Sequence, residues 1–263
     1  MRPFIDRAGV ADARVPLPSS VDLTPFFPRV IDQGPLQSCT AATGAALVSY
    51  FQRQAHGRTF EGSVLFLYKV TRNLLAVQGD AGGFLRASMQ ALRLFGITPE
   101  ERWPYIAANV DLEPQTFHYV FASNYKAKTY YRLDAGGTAR DALLTRVRTN
   151  LAAQLPSMFG LFMFPSLAFA MTTGDVPLPA RGERPDLSHA LVAVGYDDER
   201  EIRNPIDGNV SRGALRVRNS WGPHWGDGGY GWLPYAYVLS GLTSDWWSLA
   251  EADFVDTGQF GLR

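Results

Sequence analysis

The sequence contains one cysteine, Cys39, among its 263 residues, and its charged side chains balance to a formal net charge of +0. A single cysteine excludes a framework of internal disulfides, which suits a reducing compartment. The lack of net charge leaves no overall field to attract nucleic acid or an anionic membrane. We therefore expect no nucleic-acid partner and no membrane partner.

Long hydrophobic runs are also lacking. The first ten residues contain no apolar segment of the kind that marks a secretory signal peptide. The longest apolar run, residues 158–171, is too short to cross a bilayer and is interrupted by Pro165. We therefore predict a cytoplasmic protein, and we interpret the run as a buried strand of the core.

The composition is that of a folded protein, because 46% of the residues are hydrophobic and 13% are aromatic. Apolar spacing is helical in the first half of the chain, and strand-like alternation dominates the second half. The sequence thus predicts an α+β fold in a single domain of residues 1–263. Its expected parts are an extended arm (1–30), a mainly helical lobe (31–125) and a mainly β lobe (126–263).

The same patterns predict individual elements. The predicted helices cover residues 39–54, 63–75, 85–95 and 141–155. The predicted strands cover residues 158–164, 190–196, 214–219 and 229–233. The Pro- and Gly-rich segment 172–188 shows neither helical nor strand-like spacing of apolar residues, which predicts a long loop.

Cys39 stands directly before a helical pattern, in the segment 33–40 with the sequence QGPLQSCT. A thiol is a good nucleophile only as its thiolate, and a helix N-terminus with a nearby imidazolium stabilises that anion. This placement makes Cys39 a candidate nucleophile.

A histidine and an asparagine in the second half of the chain are candidate catalytic partners for Cys39. Of the four histidines, His189 begins an alternating, β-branched strand pattern, and Asn219 supplies an amide that could orient the imidazole. Because Cys39 falls in the helical half and the other two in the β half, we predict an active-site cleft between two lobes.

Taken together, these segments resemble the papain-like cysteine peptidases over residues 21–235, and compact microbial members rather than the disulfide-bearing lysosomal ones. Any one of the matching features alone would be weak, but five of them occur in the family's order. They are Gln33 six residues before Cys39, the pair Gly82-Gly83, the His189 strand, the NSWG segment that begins at Asn219, and the WGDGGYG segment that begins at Trp225.

The resemblance implies a two-lobed fold, with a helical lobe, a β-barrel-like lobe and the active site between them, and hydrolysis of peptide bonds. Cys39 would attack the peptide carbonyl, and His189 would pair with the thiolate and later protonate the leaving amine. Asn219 would orient the imidazole. The Gln33 amide, with the Cys39 N–H, would stabilise the oxyanion.

The resemblance also implies where a peptide binds, with an apolar side chain favoured at P2. The glycine pair would let an extended substrate approach closely, and Trp221 would shield the contact between His189 and Asn219 from water. The implied substrate-binding residues are Gly82, Gly83, Leu85, Leu187, Ser188, Ala190, Gln37 and Trp221. Within this set, Leu85, Leu187 and Ala190 would form the S2 wall, and Gln37 would border S1.

Three features depart from the family pattern. Thr40 stands where the family usually has an aromatic residue, and Gln37 stands where it usually has glycine. His189 and Asn219 are 30 residues apart, more than in papain itself, which predicts an inserted hairpin at residues 197–212.

Two other functions are compatible with this sequence pattern. One is a catalytically silent papain-like binding module, and the other is a transpeptidase or transamidase that passes the acyl group to an amine. Retention of Cys39, His189 and Gln33 argues against the first. We expect a monomer that acts on a peptide or protein substrate, without a cofactor. We also expect no metal, because the lone cysteine and scattered histidines lack ligand spacing.

Overall fold

The computed structural model describes residues 16–57 and 59–254, which form two compact units. The sheet unit comprises the described residues up to Pro25, Arg29–Asp32 and Arg132–Ser248. The helical unit comprises Phe26–Pro28, Gln33–Tyr131 and the described residues from Leu249 onward. The first fifteen residues of the predicted arm lie outside the described residues.

Four helices build the helical unit. They are α1 (Cys39–His56), α2 (Val64–Leu74), α3 (Leu85–Leu94) and α4 (Thr116–Ala122). The sequence predicts the first three to within two residues of their observed ends, because local signals mark them. The Ser63 hydroxyl caps α2 by accepting a hydrogen bond from the Phe66 N–H at 3.1 Å, and α1 ends at Gly57 with φ 66°. The sequence pattern misses α4, which has only 7 residues.

Helix α1 is the buried centre of the helical unit. Small side chains let it approach α2 and α3 closely, since a Cβ on Gly44 would lie 3.1 Å from Leu67 and 3.5 Å from Leu92. The side chains of Leu47 and Tyr50 on the same helix are fully buried. Burial of this kind stabilises the fold by roughly 25 cal/mol per Å² of buried apolar surface. The packing of α1 therefore holds its first residue in place.

Most of the strand residues belong to the sheet unit, and the strand pairs with a described register are antiparallel. The strands of the chain are β1 (Ser20–Asp22), β2 (Tyr125–Arg132), β3 (Ser157–Met163), β4 (Leu187–Arg203), β5 (Val210–Arg218), β6 (Tyr230–Pro234) and β7 (Thr243–Phe254). Their order is β2-β7-β3-β4-β5-β6, and β1 pairs with β4. Three helices accompany them, α5 (Arg140–Ala152), α6 (Ala170–Thr173) and α7 (Tyr235–Leu239).

The predicted α+β fold is confirmed, but the sheet is open. β2 and β6 are its edges, and no ladder joins them within the part of the chain that the structure describes. β6 has only 5 residues and leads directly into α7, so it offers little length for closure. The lobe expected to be β-barrel-like is therefore an open antiparallel sheet.

Strand β4 is longer than the predicted 190–196 because its ladder with β5 continues into a hairpin. Beyond a register shift, Glu201 pairs with Arg212 and Arg203 pairs with Val210. A hairpin thus lies at residues 197–212, where the sequence predicts one. On its other side, β4 pairs with β3 through Ala193 and then with β1, so both sides of the strand are hydrogen-bonded.

The segment that leads into β4 is irregular, as predicted, apart from helix α6 at its start. Hydrogen bonds hold it on the sheet unit. The Val176 N–H donates to the Trp232 carbonyl at 2.9 Å, and the Tyr237 hydroxyl donates to the Pro177 carbonyl at 3.1 Å. None of the helices in the described ranges is long and apolar enough to cross a membrane.

Candidate active site

Cys39 is the first residue of α1, so its side chain lies at the positive end of the helix dipole. The preceding Ser38 does not cap the helix with its side chain. Its hydroxyl lies 2.7 Å from the hydroxyl of Tyr105, which in turn donates to the Gln33 carbonyl at 2.8 Å. The first turn contains no acidic residue. The positive end of the helix dipole therefore faces the Cys39 side chain with no acidic side chain in the first turn to oppose it.

Gln33 is buried, and a hydrogen bond orients its side chain. Its Nε2 donates to the carbonyl of Leu36 at 2.7 Å across a tight turn that contains Gly34 at φ 53°. The helical unit thus carries Gln33 and Cys39 on one short, hydrogen-bonded segment.

The predicted substrate-binding glycines lie beside this segment. Gly82 has φ 74°, a conformation that L side chains rarely adopt. A Cβ on Gly83 would lie 3.0 Å from the Thr40 hydroxyl oxygen and 3.4 Å from Thr71. Glycine at 83 therefore leaves room for Thr40, which is where this chain departs from the family's usual aromatic residue.

His189 and Asn219 come together in the sheet unit. His189 lies on β4, and Asn219 directly follows β5, the partner strand of β4. The imidazole Nε2 is 2.8 Å from Asn219 Oδ1, which also accepts a hydrogen bond from the Ser220 N–H at 2.8 Å. An amide oxygen can only accept, so His189 carries its proton on Nε2. In the neutral ring, Nδ1 is then the basic nitrogen.

The surroundings of His189 disfavour its charged form. Burial lowers the pKa of His189 to about 4, although the hydrogen bond to Asn219 acts in the opposite direction. Trp221 stacks on the imidazole, with ring centroids 4.7 Å apart and planes 28° apart. Trp221, for which the family resemblance implies a shielding role, thus contacts the imidazole directly.

The predicted S2 residues differ in exposure. Leu85 and Ala190 are buried, at 4% and 2% exposed, whereas Leu187 is 67% exposed. Sequence reasoning missed Phe84, which directly follows the glycine pair and is 69% exposed. The sequence signal that could have identified Phe84 is an aromatic residue directly after two glycines. Among the described residues, no group of three or more His, Cys, Asp and Glu side chains could hold a metal ion.

Comparison with known proteins settles the family. Residues 17–243 match the sequence model of the papain family cysteine proteases. The chain belongs to this family. It is a papain-like thiol hydrolase, as the sequence resemblance implied.

Relatives of this papain-family chain include viral, bacterial and animal proteins. It is 31% identical over 227 residues to an uncharacterized peptidase C1-like protein of Acanthamoeba polyphaga mimivirus, covering 84% of this chain and 69% of that protein. It is 26% identical to chicken (Gallus gallus) cathepsin K, covering 78% of this chain but only 54% of the cathepsin. Xylellain, a cysteine protease from Xylella fastidiosa, superposes with a TM-score of 0.73 at 31% identity, covering 91% of this chain and 87% of xylellain.

Proposed function

We propose that this papain-family protease hydrolyses peptide bonds with Cys39 as nucleophile, His189 as base and Asn219 as the residue that orients His189. The observation that carries the proposal is the pair of hydrogen bonds accepted by Asn219 Oδ1. They set the imidazole tautomer that leaves Nδ1 as the proton acceptor.

In the proposed reaction, His189 Nδ1 takes the thiol proton and Cys39 Sγ forms a bond to the peptide carbonyl carbon, while the C=O π bond breaks and its electron pair moves to the oxygen as an oxyanion. The imidazolium then donates that proton to the leaving amine as the C–N bond breaks, which leaves a thioester. Water attacks the thioester carbon and gives one proton to His189. The C–S bond then breaks, the carboxylic acid leaves, and the imidazolium returns its proton to Cys39 Sγ.

The pKa of His189 supports a coupled ionisation. A buried imidazolium needs a nearby anion, because burial lowers the pKa of His189 to about 4 even though the hydrogen bond to Asn219 raises it. We propose that the Cys39 thiolate is this anion, so the two groups exchange one proton as a pair. The helix dipole and the absence of acidic side chains in the first turn of α1 favour the thiolate.

We further propose that Gln33 Nε2 and the Cys39 N–H stabilise the oxyanion. The bond from Gln33 to Leu36 supports this role, because it holds the amide in one orientation before substrate arrives. Donors that need no reorganisation are the ones that lower a barrier most.

The proposed specificity is for an apolar P2 side chain. Phe84 supports it, because an aromatic ring 69% exposed beside Gly83 offers apolar surface where an extended substrate would lie. Burying a leucine-sized side chain is worth about 1.5–3 kcal/mol. In a peptide-library cleavage assay, we expect kcat/KM with Leu or Phe at P2 to exceed that with Asp or Lys by about tenfold or more.

Two variants test the P2 proposal. Phe84→Ala should reduce the preference for Leu over Asp, whereas Phe117→Ala should not, although Phe117 is also exposed, at 53%. Faster cleavage of peptides with Asp or Lys at P2 would contradict the proposed preference. Absence of peptide cleavage altogether would contradict the proposed function.

A further inference from the structure

The exposed face of helix α3 carries three long polar side chains. Arg86, Gln90 and Arg93 follow one another at intervals of four and three residues, so they lie on one face of the helix. All three are exposed, whereas Met89 and Leu92 on the other face are fully buried. The helix therefore presents two arginines along the same exposed face.

A glycine brings the end of α3 against the start of strand β2. A Cβ on Gly96 would collide with the carbonyl oxygen of Ala122 and lie 3.0 Å from that of Tyr125, so only glycine allows this approach. On β2, Lys126 and Tyr130 are four residues apart and therefore share one face of the strand. The side chains of α3 and β2 meet around one cavity of the helical unit.

This cavity has a volume of about 390 Å³, and cations dominate its wall. The lining residues are Arg86, Gln90, Arg93, Leu94, Lys126 and Tyr130, and none of these six is acidic. Arg86, Arg93 and Lys126 form no ion pair with any side chain that the structure describes. Three positive charges around one cavity repel one another, and an anion in the cavity would remove that repulsion.

We propose that the cavity between α3 and β2 binds a small molecule that carries two or more phosphoryl groups. Arginine binds a phosphoryl group through two parallel N–H···O bonds, and lysine binds it as a point charge. A phosphate monoester carries about −1.5 to −2 charges at neutral pH, so two such groups neutralise three cations where a single carboxylate does not. The concave site suits a small ligand, and a chain of net charge +0 has no overall field to gather a polyanion.

Calorimetry on the full chain tests this inference, with inorganic pyrophosphate and fructose bisphosphate as separate probes at matched ionic strength. Binding of pyrophosphate would sustain the inference and show that the phosphoryl groups suffice. Binding of fructose bisphosphate alone would sustain it and assign the ligand to organic phosphate esters. Failure of both probes to bind would overturn it, as would an oligonucleotide that binds where neither small probe does.

Two arginine variants test whether the probe occupies this cavity. Arg86→Ala and Arg93→Ala should each weaken its binding by about tenfold or more, because each removes charge-assisted hydrogen bonds to phosphoryl oxygens. Arg93→Lys keeps the charge but loses the planar fork, so its affinity should lie between those of the wild type and Arg93→Ala.

The matched control is Arg181→Ala, at an exposed arginine of the sheet unit. It removes the same charge elsewhere and should leave the dissociation constant within about twofold of the wild type. Because the substituted side chains are all exposed, the variants should fold normally. Wild-type affinity in both Arg86→Ala and Arg93→Ala, or an equal loss in Arg181→Ala, would overturn the assignment to this cavity.

Binding without catalysis separates this inference from the proposed function. The cavity is lined by neither Cys39 nor His189, so Cys39→Ala protein should bind the probe with an unchanged dissociation constant. Its melting temperature should also rise with probe concentration. Loss of binding in folded Cys39→Ala protein would overturn the assignment. A wild-type chain that binds the probe but cleaves no peptide would sustain the inference and overturn only the peptidase function.

Discussion

His189→Ala should lower kcat/KM for peptide hydrolysis by about 10⁴-fold, because the variant lacks both the base that activates the thiol and the acid that protonates the leaving amine. The imidazole is buried and has direct contacts with Asn219 and Trp221, so the fold needs a separate check. Thermal unfolding of the variant provides that check, and hydrolysis of a fluorogenic peptide with Leu at P2 measures the loss.

His224→Ala is the matched control for this prediction. His224 is also a histidine of the sheet unit, but it is exposed. Its removal should leave kcat/KM within about twofold of the wild type, since surface substitutions away from special features have small effects. Comparable losses in the two variants, or a folded His189→Ala protein with nearly full activity, would contradict the role proposed for His189.

Gln33→Ala should lower kcat by about 10²–10³-fold with a much smaller change in KM, because an oxyanion donor acts on charge that develops only in the transition state. Steady-state kinetics on the same peptide separate the two constants. Gln90→Ala, at an exposed glutamine on α3, is the control and should change neither.

The burial of Gln33 calls for a second measurement. Its amide bonds to the Leu36 carbonyl, so the variant also loses a structural contact worth about 0.5–1.5 kcal/mol. Alkylation of Cys39 by a small haloacetamide reports on the nucleophile without needing the oxyanion donor. Normal alkylation with a large loss of kcat is the predicted combination. A lower melting temperature with unchanged kcat would assign Gln33 a structural role only.

The sequence predicts the helices of the helical unit well because their signals are local. Caps such as Ser63 and the small residues of α1 act within one or two turns. The sequence pattern does not predict strand β7, because its signals are not local. Asp245 has φ 59°, and the register with β3 shifts between Met158 and Gly160, so the alternation along β7 is broken. The pairing partner, rather than the local pattern, determines such a strand.

The candidate site likewise contains features that the sequence predicts and features that depend on contacts between distant residues. The placement of His189 beside Asn219, with Trp221 stacked on the ring, follows from positions that the family resemblance supplied. The hydrogen bonds from Gln37 to Asp80 could not be predicted, because they join residues 43 positions apart and use a backbone N–H and a backbone carbonyl. Contacts made through backbone groups cannot be predicted from the residue types. The exposure of Phe84 likewise depends on how the glycine segment meets α3.

Labelling with a thiol-directed epoxide, followed by intact-mass analysis, tests most directly whether Cys39 is a nucleophile activated by His189. Near neutral pH and under reducing conditions, we expect one adduct per chain, located on Cys39, with labelling strongly diminished in His189→Ala and unchanged in His224→Ala. An unlabelled wild-type protein, or labelling undiminished by His189→Ala, would contradict it.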